Sequence, residues 1–187
     1  MSRQRVLNIL RGPEADRIRF TFVANKATIT IARSTFDRVA RAIERGKVDV
    51  TINNTLGQGI ARYLQPNNIE THSVIGRLAE GAVLHESLHA YFDLARTDIS
   101  PLDEETAGFV IDALYFRMTG LSSARWHSRI ERQAAVVADD LLAHYAAGIS
   151  PIPAVNPIPW LILRGVIYTH PHYAKTVRSP GNYPHDG

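Results

Sequence analysis

Residues 82–94 read AVLHESLHAYFDL, in which His85 and His89 stand four apart and Glu86 directly follows the first of them. On an α-helix, positions i and i+4 lie on one face a turn apart, so this spacing sets the two imidazoles side by side. The neighbours are small or apolar: Ala82, Val83 and Leu84 come before the first histidine, and Ser87, Leu88, Ala90 and the largely apolar Tyr91 are interleaved with the rest. The stretch therefore reads as a buried helix that carries a His-Glu-His set inside. A glutamate in such a place is costly without a partner.

Outward from this stretch, the helical period holds over SVIGRLAEGAVLHESLHAYFDLAR, which runs from Ser73 to Arg96 without a proline. SPLDEETAGFVIDALYFRMTG opens with Ser100 as cap, Pro101 at the first helical position and Asp103 closing a capping box, and it stops at Gly120. SSARWHSRIERQAAVVADDLLAHYAAG sets Trp126, Ile130, Ala134, Val137 and Leu141 on one face and ends near Gly148. PIPAVNPIPW then breaks the chain before a short apolar segment, WLILRGVIY, and a polar tail.

Before residue 73 the pattern is different. Ile18, Phe20 and Phe22, then Ile29 and Ile31, then Val48, Val50 and Ile52 alternate with polar residues and predict three strands, with a further short one near IETHS. Between the second and third lies STFDRVARAIERG, where Ser34 and Asp37 have capping-box spacing, Phe36, Val39, Ala40 and Ile43 form a stripe, and Gly46 is the stop, which predicts a helix. NNTLGQGIARYLQPNN is rich in turn residues; its Gly57-Gln58-Gly59 lacks the wider phosphate-loop fingerprint and reads as a turn. Strands followed by helices, with no internal repeat, indicate an α+β fold: a small twisted amino-terminal sheet with one helix, then a mainly helical half. The expected organisation is one domain over 1–187, with 1–16 and 174–187 as flexible ends.

Bulk properties agree. The chain has 187 residues, 45% hydrophobic, enough for a sizeable core. Its formal charge of +3 is spread along the chain, with no basic, aromatic-interleaved stripe of the kind nucleic acid demands. With no cysteine, zinc-finger sites are excluded and any metal must be held by His, Asp or Glu. The amino terminus lacks the apolar core of a signal peptide, and no run reaches membrane-spanning length. The expectation is a chain that does not insert in a membrane and is cytoplasmic or exported without a cleaved leader.

The chemistry follows from the spacing. Two histidines at i and i+4 match what a tetrahedral zinc needs from two imidazoles, and a glutamate beside the first can take a proton from a metal-bound water. A catalytic zinc takes three protein ligands and keeps one position for water. The third ligand is sought in DEETAGFVIDALY, at Glu104 or Glu105. At about 100° per residue, Glu105, Phe109, Asp112 and Phe116 share a face and Glu104 points elsewhere. Glu105 is thus the favoured ligand, with Asp112 placed to accept the other N–H of a ligand histidine.

HESLH together with this acidic helix resembles the zincin-fold metallopeptidases of the gluzincin type, above all small bacterial HExxH domains, both stand-alone and attached to secreted effectors; the likeness covers about Ser73 to Gly120. The longer metzincin motif is absent, since Phe92 and Ala95 stand where it needs Gly and His. The resemblance implies a zincin-like fold, one Zn2+ per chain held by His85, His89 and Glu105, Glu86 as catalytic base, and a peptide or protein substrate held along the edge of the sheet. Tyr168 and His170 are reserve candidates for stabilising an oxyanion or touching substrate. A non-catalytic zincin-like module that recognises a protein or nucleic acid is the alternative, and the intact Glu86 weighs against it.

Overall fold

The computed structural model describes residues 2–57, 60–73, 76–121, 128–148 and 151–178. In chain order the elements are helices α1 (Arg3–Leu10) and α2 (Pro13–Arg17), strands β1 (Phe20–Ala24) and β2 (Ala27–Ile31), helix α3 (Arg33–Glu44), and strands β3 (Asp49–Ile52), β4 (Ala61–Leu64) and β5 (Asn68–Thr71). Helices α4 (Arg77–Ala95), α5 (Pro101–Met118), α6 (Arg129–Ala146), α7 (Pro157–Thr169) and α8 (Ala174–Val177) follow. The fold is α+β, and among the described residues no helix is long and apolar enough to cross a membrane. The elements group into two units, one drawn from Met1–Ile18 and Ala32–Thr97, the other from Arg19–Ile31 and Asp98–Tyr183.

In the first unit α4 packs on α1, α3, β4 and β5. The chain before the first strand forms α1 and α2. Ser2 caps α1 by accepting from the Arg5 N–H at 3.2 Å, and Val6, Leu7, Ile9 and Leu10 go into the core. Four apolar side chains within eight residues are enough to fasten so short a helix, because tertiary burial and not propensity stabilises it. Arg5 pairs with Glu80 of α4, and Arg11 pairs with Glu44 of α3 at 2.7 Å. The α3 stripe is as expected, with Phe36, Val39, Ala40 and Ile43 fully buried. Its start differs. Ile31 is buried at the end of β2, so the chain turns into the helix at Arg33 with Ala32 as cap. The Thr35 hydroxyl accepts the Ala32 N–H at 3.2 Å, and Asp37 pairs with Arg33 instead of closing a box with Ser34.

The sheet of this unit has the order β3-β5-β4. β5 lies parallel to β3, with Asp49 opposite Asn68, and antiparallel to β4, with Arg62 opposite Glu70 and Tyr63 opposite Ile69. The Glu70 carboxylate on β5 accepts from Arg62 of β4 at 2.7 Å and from Asn53, just after β3, at 3.1 Å. These bonds, first that from Arg62, hold its pKa below the ordinary glutamate value. A carboxylate lowered on folding contributes stability above its unfolded pKa and loses it as the pH falls through the folded value. Thermal unfolding of wild type and Glu70→Gln at a series of pH values should therefore show a small gap at neutral pH that closes on acidification. Parallel curves across the whole range would contradict this role. The gap is small because the Arg62 side chain is half in water.

The second unit begins with the hairpin β1–β2, antiparallel from Phe20 opposite Ile31 to Ala24 opposite Ala27. Its two-residue loop puts Asn25 and Lys26 at φ 47° and 65°, as the right-handed twist of a tight hairpin demands. The expected single amino-terminal sheet is thus two separate sheets. The hairpin belongs with the helices: Phe22 lies 4.8 Å from Trp160 of α7, and Thr21 exchanges backbone bonds of 2.8 Å with Pro153 and Val155. Alternation identifies a strand but not its partner.

α5 begins as expected, with the Ser100 hydroxyl accepting from the Asp103 N–H at 3.1 Å and Pro101 in the first turn. It ends where Gly120 takes φ 68°, with the Leu121 N–H reaching back to Phe116 O at 2.9 Å. α6 is capped by Ser128 and Glu131, and buries Ile130, Ala134, Val137 and Leu141; the expected start of that helix at 122–127, with Trp126, lies outside the described residues. The segment after the prolines is a full helix of 13 residues, opened by Asn156 as cap and Pro157 at the first position.

Candidate metal centre

α4 is apolar on most of its faces between Gly81 and Phe92, so a helix forms here because its neighbours in the unit cover it and not because of one amphipathic stripe. His85 is buried, His89 half-buried, and their ring centroids lie 5.1 Å apart at 47° to one another. The Ser87 hydroxyl donates to Val83 O at 2.7 Å, which satisfies the buried hydroxyl within the motif.

Glu86 is turned about 60–100° around the helix from the two histidines. Its Oε2 accepts the backbone N–H of Tyr63, in β4, at 2.6 Å. Asp93 lies seven residues further along α4, a near-integral two turns, and therefore on the same line of the helix as Glu86. It is fully buried, and its Oδ2 accepts the Tyr63 hydroxyl at 2.5 Å. The same hydroxyl oxygen accepts the Asn67 N–H at 3.0 Å. Tyr63 thus meets α4 twice, through its main chain at Glu86 and through its phenol at Asp93.

β4 was not among the predicted strands, and neither Tyr63 nor Asp93 was a candidate residue. The Ala61/Tyr63 alternation is present but only four residues long, inside a stretch dominated by turn residues.

On α5, Glu104 is buried, whereas Glu105 and Asp112 are half-buried. Asp103 is engaged by Arg164 of α7 at 2.9 Å, a structural pairing inside the second unit. Among the described residues, His85, His89 and Glu105 form a group of ligand-type side chains that could hold a metal ion. Two neutral imidazoles and one carboxylate bring a single negative charge to a divalent cation and leave a fourth position for water, a donor set that suits catalytic zinc.

Tyr168 is exposed on α7, with the Arg178 guanidinium 4.8 Å from its ring and donating to its carbonyl oxygen. His170 ends that helix, where it lies 5.5 Å from the ring of Tyr173. His144 makes a local contact with Asp140 O at 2.9 Å, the behaviour of a packing residue, and His127 lies outside the described residues.

Comparison of the chain with family models, with curated proteins and with solved structures gives no match.

Proposed function

We propose that this chain is a zinc-dependent hydrolase of zincin-like fold that cleaves peptide bonds. The observation that carries the reading is the HExxH helix itself: His85 and His89 pair on α4, Glu86 stands beside them, and with Glu105 they offer a His2Glu ligand set. The order of the elements supports it too, since a small sheet comes before the motif helix and the next helix carries the acidic ligand.

Zinc, when bound by His85, His89 and Glu105, supplies a Lewis acid that polarises a carbonyl and acidifies a water. Glu86 removes a proton from the attacking water at its carboxylate and later returns it to the leaving amine. β4 is an edge strand, and in an antiparallel ladder the backbone groups of alternate residues point to the same side. Ala61 and Tyr63 thus present their main chain on one side of the strand, where the Tyr63 N–H is taken by Glu86 and an extended peptide added as a further strand would pair through Ala61 and lie beside that carboxylate.

Elemental analysis of protein purified without chelator should find about one zinc per chain, because the ligand set is single. Protein that carries no metal and takes up none from added zinc would overturn the reading.

A further inference from the structure

Tyr63 links two points on α4 that lie about 10 Å apart along the helix axis, given a rise of about 1.5 Å per residue over the interval from Glu86 to Asp93. Its single hydroxyl proton goes to the Asp93 carboxylate, and its hydroxyl oxygen takes the Asn67 N–H that closes the β4–β5 turn. The phenol is therefore fixed between a buried carboxylate on the helix and the turn of the strand. With the ring anchored, the Tyr63 main chain has one place along α4, and there its N–H meets Glu86. The Asp93 carboxylate is itself fully buried, so the anchor lies in the core and not on a mobile surface.

We infer that Tyr63 is the positioning residue of Glu86: the phenol pinned on Asp93 fixes β4 against α4, and the strand's N–H in turn fixes the carboxylate. Its consequence for hydrolysis rests on the reading of Glu86 as the base. The arrangement resists a specific failure. A glutamate side chain has three rotatable torsions, and a misplacement of about 1 Å in a reacting group can cost on the order of 10²-fold in rate. A charge-assisted bond from a main-chain N–H, which has no rotamers of its own, removes that freedom.

Two measurements test this. In the full chain, labelled for NMR and free of metal, Glu86→Gln should move the Tyr63 amide proton upfield by far more than the amides of Arg62 and Leu64, because a charged acceptor becomes neutral. In the zinc-loaded chain, Tyr63→Phe should retain wild-type zinc affinity and KM while kcat falls about 10- to 100-fold. Asp93→Asn keeps an oxygen for the phenol and should be the milder change. The double variant should be no slower than Tyr63→Phe alone, since both act through one bond. A Tyr63 amide indifferent to Glu86→Gln, or a wild-type kcat in Tyr63→Phe, would overturn the inference. If the zinc-loaded wild type cleaves nothing, the hydrolase reading falls by itself, and the amide shift still decides whether Tyr63 holds Glu86.

Discussion

Glu86→Gln should leave the fold and the bound zinc as they are in the wild type and abolish hydrolysis. The substitution is nearly isosteric, and the amide oxygen can still accept the Tyr63 N–H that the carboxylate accepts at 2.6 Å. His85, His89 and Glu105, the proposed ligands, are untouched. What is lost is a group that can take a proton, and the expected fall in kcat is at least about 10²–10⁴-fold, because in the proposed mechanism the same residue serves as base and then as acid. Zinc content, thermal unfolding and cleavage rate measured on one preparation check it. Equal cleavage at equal zinc content would remove Glu86 from the chemistry and leave the chain as a metal-binding module.

The second large effect concerns the ligands. His85→Ala and His89→Ala should each weaken zinc binding by more than the 10- to 100-fold typical of a lost outer partner, and activity should fall with occupancy. Glu105→Ala should behave in the same way. Glu104→Ala should not: Glu104 is buried on α5, and its replacement should lower the unfolding temperature with zinc affinity largely kept. A competing chelator titrated against the four variants reads the affinities. Zinc-induced thermal stabilisation gives a second readout, since a ligand that binds only the native state at about 100 times its Kd adds about 2.7 kcal/mol. A larger loss of zinc affinity at Glu104 than at Glu105 would reverse the assignment on α5, and undiminished affinity without either histidine would exclude the motif as a metal site.

The helices were legible in the sequence because their determinants are local. Ser100 and Pro101 open α5, the Phe36-Val39-Ala40-Ile43 stripe defines α3, and four-residue spacing sets His85 beside His89 on α4. The strands of the hairpin were legible by alternation, and their destination was not, since the contact of Phe22 with Trp160 joins residues far apart in the chain. β4 failed for a related reason. Its four residues bury only Ala61, and what makes them a strand is pairing with β5 together with the bond to Glu86, both non-local. The hydroxyl of Tyr63 meets Asp93 across 30 residues of sequence, and no periodicity encodes that meeting. The HExxH motif could be read from one helix; the strand that holds its glutamate could not.

The most direct test of the central claim is digestion of a broad peptide library by the full chain, first stripped of metal with a chelator and then reloaded with zinc. The reloaded protein should cleave, and neither the stripped protein nor reloaded Glu86→Gln should. A zinc-loaded wild type that leaves the whole library intact, or a stripped protein that cuts as fast as the loaded one, would contradict it.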